Sequence, residues 1–393
     1  MNNRFDISCT HFQSCPGCVY PSISKPPEIF LQAQGFFQKI KKGFILPLIQ
    51  GAPTGWRSRA KLVVRASSNP RAPHIGLFQE GSHEVVEIPL CQVHHPQINE
   101  AVKRFQTALQ EPLAAPLSFY DEKSGKGDLR YIQCIVERRS GKVSLSFVLN
   151  FSINDAMKLQ VWKTFCKRLI EQDESYFWHS LWLNFNPLKT NAIFGNEWLK
   201  IAGQESLWEQ IMGLEIPFGP SHFGQANLDL FERLVQEIGH HVEEESRVVE
   251  FYAGMGVIGL TLAKKCASVT ISEREMSAEH FFLIAKERLA YITQQKLHFV
   301  TGAAENEAKL FEGADICIVD PPRKGLDPAF LQKLCTASSI KKLIYVSCNF
   351  ASFERDCTQI LSTSTFQLLD AKSYLFFPGT NHIETLAIFI KEP

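Results

Sequence analysis

The sequence predicts an α/β protein whose C-terminal part, from about residue 216, is a doubly wound parallel sheet, with an α+β region before it. Three observations carry that prediction. Apolar β-rich runs alternate with helical segments from 216 onward, the pattern of a parallel sheet. Chemical residues recur where those strands end, in VVEFYAGMGVIG (248–259), ISE (271–273), IVDPPRKG (318–325), YVSCN (345–349) and FFPGTNHIE (376–384). Finally, the turn at Pro378-Gly379 is too short for a crossover helix, so the last strand must run antiparallel to its predecessor.

In order, residues 1–25 are rich in cysteine and proline, and 27–42 read as a short helix ending near Gly43. Strands follow at WRSRAKLVVRA (56–66), HIGLFQE (74–80), EVVEIPL (84–90), RYIQCIVER (130–138) and KVSLSFVLN (142–150), with a helix at 96–110. Residues 153–173 read as helix and 178–215 as short strands with a turn near Gly195-Asn196. The sheet region then places helices at 226–240, 257–266, 276–291, 328–337 and 350–361. Its strands fall at 247–252, 268–273, 296–301, 314–319, 342–347, 366–376 and 383–391. These patterns divide the chain into 1–92, 93–215 and 216–393.

With 45% hydrophobic and 21% charged residues, the chain is an ordinary globular one, long enough for two or three cores. MNNRFDISC has no apolar signal-peptide region, and nothing approaches the roughly 18-residue apolar run of a membrane helix. Eleven cysteines without an export signal point to a reducing, cytoplasmic setting. The net charge of zero hides an asymmetry: residues 1–75 carry ten Lys/Arg against Asp6 and Glu28. Arg57, Arg59, Lys61, Arg65 and Arg71 alternate with apolar residues, as on one polar strand face where a polyanion could bind.

Gly254, Gly256 and Gly259 form G-x-G-x-x-G between a strand and a helix, with Glu273 ending the next strand. A nucleoside cofactor fits there, its ribose against the acid, and the motif alone suits NAD or S-adenosylmethionine (SAM) equally. Its late position behind a large N-terminal region favours SAM. A parallel sheet closed by an antiparallel hairpin also resembles the Rossmann-like fold of SAM-dependent methyltransferases.

The remaining strand-end residues supply reaction chemistry. Cys348 follows the apolar strand LIYVS, Asp320-Pro321-Pro322-Arg323 is a stiff loop, and Glu384 opens the last strand. None has a role in hydride transfer. Together they suit methylation of C5 of a uracil ring. A thiolate adding at C6 makes C5 nucleophilic, a carboxylate removes the C5 proton, and donors bind the ring carbonyls.

On these residues the chain resembles the RNA uracil-5-methyltransferase family. Phe223-Gly224-Gln225-Ala226-Asn227 resembles its F-x-Q-x-N segment, Ser347-Cys348-Asn349 its nucleophile motif, and Thr380-x-His382-x-Glu384 that of its base. The resemblance implies Cys348 and Glu384 as catalytic residues. It implies Gln225, Tyr252, Gly254, Gly256, Glu273 and Asp320 as the SAM site, with Phe223 and Arg323 at the target base. The chain departs from the family pattern at Ala253 (usually Cys), at Val257 (usually Asn or Gly) and at Phe350 (usually Pro). At Val257 only the backbone could serve the cofactor.

Cys9-x5-Cys15-x2-Cys18 with Cys91 could hold zinc or an iron–sulfur cluster, and spacing does not choose. The resemblance does: iron–sulfur members of the family carry a similar N-terminal set, here with Pro16 for a glycine. It implies a structural 4Fe-4S cluster that turns the strand at 56–65 toward RNA. So little sequence precedes Cys9 that no RNA-binding (TRAM) barrel is expected, as in the shorter, RlmC-like members acting on 23S rRNA. The family's tRNA members lack the cysteine cluster. The expected partner is therefore RNA, 23S rRNA first, with no membrane and no protein partner implied. Three alternatives stay open: a tRNA uracil-5-methyltransferase, an NAD-dependent oxidoreductase, and an iron–sulfur RNA-binding protein with an inactive methyltransferase domain.

Overall fold

The computed structural model describes residues 7, 9–188 and 191–391, in two compact units. One comprises residues up to 24, 52–209 and 218–227. The other comprises 25–51, 210–217 and 228 onward. The boundaries read from sequence at 92 and 215 do not coincide with these. Residues 59–65 and 129–136 are neighbours in one sheet, which merges the first two predicted segments.

In chain order α1 (Glu28–Ile40) and β1 (Leu48–Gln50) come first, and both belong to the second unit. The first unit then builds a seven-stranded sheet. Its elements are β2 (Arg59–Arg65), β3 (His74–Phe78), β4 (Val85–Glu87), α2 (Pro96–Ala108), β5 (Leu129–Val136), β6 (Val143–Leu149), α3 (Ala156–Glu171), β7 (Trp178–Phe185) and β8 (Glu197–Gly203). The strand order is β4-β3-β2-β5-β6-β7-β8. Only β6 and β7 are parallel, because α3 lies between them and provides the crossover. Trp162 and Phe165 of α3 and Phe105 of α2 pack around Phe147 and are almost wholly buried.

A hairpin of β9 (Leu207–Ile211) and β10 (Leu214–Phe218) turns at Met212-Gly213, both left-handed (φ 50° and 80°), as a two-residue hairpin requires. The second unit continues with α4 (Leu228–His240), β11 (Arg247–Phe251), α5 (Val257–Leu262), β12 (Ser268–Glu273), α6 (Met276–Glu287), α7 (Tyr291–Gln294) and β13 (Leu297–Thr301). It closes with β14 (Ile316–Val319), α8 (Pro328–Thr336), β15 (Lys342–Ser347), α9 (Phe350–Thr363), β16 (Phe366–Leu375) and β17 (Glu384–Lys391).

The eight strands of the second unit are ordered β1-β16-β17-β15-β14-β11-β12-β13. All neighbours are parallel except β17, which runs antiparallel to both β15 and β16 as the short turn requires. The order reverses between β11 and β14, so their carboxyl ends open the cleft that such sheets use for ligands. At the far edge β1 pairs with β16, Leu48 opposite Ser373. Residues 43–55 carry no periodic signal in the sequence, since the strand there is three half-buried residues long. α1 buries Ala33, Phe36 and Phe37, spaced as one helical face, in the core that holds Phe350 and Phe353 of α9. None of the described helices is long and apolar enough to cross a membrane.

Candidate active site

The loop between β11 and α5 is built for close approach. Tyr252, Gly254 and Gly256 have positive φ (58°, 55° and 73°). Tyr252 is the uncommon case, a bulky side chain in the left-handed region, with its half-buried ring edge-on to Phe330 at 5.8 Å. Gly259 donates its N–H to Glu250 Oε2 at 2.7 Å, and Gly254 donates to Glu273 Oε2 at 2.8 Å. A Cβ at Gly254 would meet nothing within 4 Å, so space remains above the turn.

Glu250 escaped the sequence reading, although an acid inside the apolar strand RVVEF was the available signal. It is almost completely buried, and burial pushes its carboxyl up to about 8 despite the Gly259 N–H, with the charges of Asp320 and Glu273 adding to the rise.

At the neighbouring strand ends the structure brings Cys348, Glu384, Asp320 and Arg323 together. Ser347 ends β15 opposite Thr385 of β17, so Cys348 and Glu384 stand one step beyond that pair. Asp320 leaves β14 beside them. Burial raises all three acids. The Cys348 thiol is pushed up to about 11 by its own burial and then by the charges of Glu384 and Asp320, while Arg323 opposes the rise. Glu384 lies well above the carboxylate range for the same reasons, burial first, then Asp320, with Arg323 again opposing. Burial alone lifts Asp320 to about 7. His382 is depressed by burial and by Arg323. Asn349 caps α9 by accepting from Ser352 N at 3.0 Å, which sets Cys348 just outside a helix N-terminus. That position favours a thiolate by less than about 1 kcal/mol at an exposed site, too little to offset desolvation here.

Phe223 and Gln225 lie in the first unit, on the loop after β10. Ser58 N donates to Ala226 O at 2.9 Å, Gln133 Nε2 to Pro220 O at 2.8 Å, and Arg59 to His222 O. The Phe223 ring is 78% exposed, an unusual placement for a large aromatic side chain.

The basic face expected on the strand at 56–65 is largely used up internally. Arg65 is only 5% exposed and pairs with Glu122, donates to Val64 O and Arg130 O at 2.8 Å, and lies over the Phe78, Tyr120 and Tyr131 rings. Arg57 is half-buried near Cys91 and Cys18, and Arg59 holds the Phe223 loop. Of the five basic residues only Lys61 and Arg71 are open to solvent. Alternation in sequence correctly gave a polar side to this strand, but the partners that bury it come from distant segments.

Cys9, Cys15, Cys18 and Cys91 converge in the same unit, all half-buried. Burial raises Cys18 to about 11, followed by the charges of Cys91, Cys15 and Cys9. Cys15 and Cys91 are raised too, by burial first and by neighbouring thiols. Gly17 N–H donates to Cys15 Sγ at 3.4 Å. Burial and neighbouring thiols hold Cys15, Cys18 and Cys91 back from ionising, and with Cys9 they are the four sulfur donors that could hold a metal or an iron–sulfur cluster.

A family model described as tRNA (uracil-5-)-methyltransferase matches residues 189–392. An uncharacterised RNA methyltransferase of Protochlamydia amoebophila is 44% identical over 98% of this chain and 97% of its own length. The chain belongs to the tRNA (uracil-5-)-methyltransferase family. A further uncharacterised RNA methyltransferase, from Nostoc, is 27% identical over 99% of this chain and 83% of its own length. Among solved structures, Pyrococcus abyssi tRNA (uracil-54, C5)-methyltransferase with S-adenosyl-L-homocysteine matches with a TM-score of 0.72. It is 23% identical, and the match covers 92% of this chain and 83% of that one, a likeness of fold. The protein is thus an RNA uracil-5-methyltransferase with the α/β fold of SAM-dependent enzymes, whose methyl donor is SAM. The glycine turn fits that donor, with open space at Gly254 and the carboxylates of Glu273, Glu250 and Asp320 around it.

Proposed function

We propose that this enzyme methylates C5 of a specific uridine in 23S rRNA, in the cytoplasm, and that Cys348 and Glu384 carry the reaction. The observation that supports it is the convergence of a thiol, a desolvated carboxyl, Asp320 and Arg323 at one sheet edge. When bound, SAM supplies an electrophilic methyl carbon. Gly254, Gly256, Tyr252, Glu273 and Asp320 would hold it, and Gln225 is added by the family resemblance alone.

Cys348 Sγ adds as thiolate to C6 of the uracil, and the C5–C6 electron pair moves toward C5 and O4. C5, made nucleophilic in this way, is the atom that would accept the methyl group as the sulfonium S–CH3 bond breaks and S-adenosylhomocysteine leaves. Glu384 then removes the C5 proton, the C5–C6 double bond re-forms, and the C6–S bond breaks to release Cys348. A carboxylate that burial has made more basic than usual suits that proton transfer. Arg323 neutralises charge beside both groups. The target uridine must leave its stack for C6 to be reached, and the exposed Phe223 ring is a surface on which it can rest. The roles of Phe223 and Gln225 rest on the resemblance of their segment to the family's.

Cys9, Cys15, Cys18 and Cys91 would hold a 4Fe-4S cluster that ties residues 9–91 together and takes no part in methyl transfer, which moves no net electrons. The cysteine set and the family resemblance support 23S rRNA and the RlmC-like type. A second reading, tRNA, is favoured by the matched family's description and by the tRNA (uracil-54) enzyme among solved structures.

Mapping 5-methyluridine in rRNA and tRNA from cells with and without the gene decides between them: loss from 23S rRNA is expected, and loss from tRNA alone overturns the assignment. With RNA fragments, Cys348→Ala should abolish methylation, and Glu384→Gln should accumulate a covalent RNA adduct on a denaturing gel. An active Cys348→Ala enzyme, or a Glu384→Gln enzyme that is inactive without adduct, would reject these roles. Anaerobically purified protein should be brown, absorbing near ~400 nm. A colourless preparation with stoichiometric zinc counts against the cluster.

A further inference from the structure

Behind the reaction site lies a buried polar cluster that the chemistry above does not use. Asp356, on α9, is fully buried. Its Oδ2 accepts from Tyr345 Oη at 2.7 Å and from Leu326 N at 2.8 Å, and its Oδ1 accepts from Arg355 Nε at 2.9 Å. The same Arg355 donates through Nη2 to Lys324 O at 2.9 Å. Gly325 is left-handed (φ 81°) and donates to Pro322 O at 2.8 Å. A Cβ on it would fall 2.5 Å from both Asp356 Oδ2 and Arg355 Nη2, so the loop is clamped tightly.

Three elements meet on this one carboxylate. Tyr345 belongs to β15, the strand that delivers Cys348. Asp356 belongs to α9, the helix that leaves Cys348. Leu326, Gly325 and Lys324 belong to the loop that carries Asp320 and Arg323. Isolated buried carboxylates are costly, and this one is tolerated because each donor satisfies it.

We propose that Asp356, with Tyr345 and Arg355, is a positioning residue that fixes Arg323 relative to Cys348. The clamp sets where the loop's cation sits beside the nucleophile; it does not touch the reacting atoms. The inference rests on the assignment of Cys348 as nucleophile, but its test does not.

Alkylation of Cys348 by iodoacetamide, followed by peptide mass spectrometry from pH 7 to 10.5 in the full chain without RNA or SAM, reads the thiol directly. The charged groups acting on Cys348 are Glu384 from β17 and Asp320 and Arg323 from the loop after β14. Arg323→Ala should slow alkylation at pH 8.5. Asp356→Asn should slow it in the same direction, about three- to tenfold, and the double variant should be no slower than Arg323→Ala alone.

The direction discriminates. Removing a nearby negative charge that acted on Cys348 by itself would speed alkylation, so faster labelling in Asp356→Asn overturns the proposal. An unchanged profile with lowered stability, or fully additive slowing in the double variant, overturns it as well. Should Asp356→Asn fail to fold, Tyr345→Phe and Arg355→Lys each remove one tie and should give smaller slowing; unchanged profiles in both reject the clamp. Because no methylation is measured, a failure of Cys348 as nucleophile appears separately, as activity retained in Cys348→Ala.

Discussion

Replacing Gly259 by alanine puts the cofactor turn to a quantitative test. A Cβ there would lie 2.6 Å from Glu250 Oε2 and 2.9 Å from Ile271 Cγ1. Neither neighbour has room to move: Ile271 is completely buried, and Glu250 is held by the N–H of Gly259 itself. Overpacking costs about 1–3 kcal/mol. Losing the bond to a buried carboxyl costs about 1–3 kcal/mol more. Against this, alanine gains about 1 kcal/mol over glycine inside a helix. The sum is a net loss of about 1–5 kcal/mol. Gly254→Ala is the control, since its Cβ meets nothing and only the left-handed backbone is penalised, by about 1–2 kcal/mol. All six tryptophans lie in the first unit, so their fluorescence does not report on this turn. Native-state hydrogen exchange of amides in 247–273 does. Protection should fall in Gly259→Ala, by more than in Gly254→Ala. A Gly259→Ala protein as protected as the wild type, or more so through helix propensity, would refute the clamp between Glu250 and the turn.

Three further outcomes are expected. With the Cys348 thiol at about 11, roughly one molecule in three thousand holds the thiolate at pH 7.5, so alkylation of the unliganded enzyme should rise about tenfold per pH unit up to about 10; a plateau near pH 8.5 contradicts the desolvation argument. Arg65→Ala should lower stability by about 1–3 kcal/mol in urea unfolding, since it takes the Arg65 donor from half-buried Glu122 and from two carbonyls. The same change should leave the salt dependence of RNA binding unaltered, whereas Lys61→Ala and Arg71→Ala, if both meet phosphates, should each reduce the log–log slope by about one.

Most of the second unit was legible in the chain. Its helices and strands follow strong periodicity, and the antiparallel β17 follows from a turn too short for anything else. The strand-end residues could be placed at one edge because the parallel pattern fixes where strands end. What was hidden depends on partners far away in sequence. β1 has three half-buried residues, and only its pairing with residues 373–375 makes it a strand. Arg65 reads as surface until Glu122 and the Tyr120 and Tyr131 rings fold over it. Asp356 looks like a solvent-facing helix residue, and Glu250 like an interruption of an apolar strand, until burial and their donors are seen.

The ladder between β15 and β17 has a consequence for how this site can vary. Residues directly opposite in an antiparallel pair point the same way, so Ser347 facing Thr385 implies that the next pair, Cys348 and Glu384, share a side. A slip of one residue would send the carboxylate to the opposite side and the apolar set of β17, buried on both faces from Glu384 to Phe389, out of register. Spacing between Cys348 and Glu384, the two groups proposed to carry the reaction, is therefore governed by parity. The turn from Phe376 to Ile383 can lengthen freely, because the ladder and not the loop places Glu384. Within the strand, an insertion is compatible with catalysis only in steps of two, or when a bulge absorbs it, as already happens between Leu368 and Asp370 on β16.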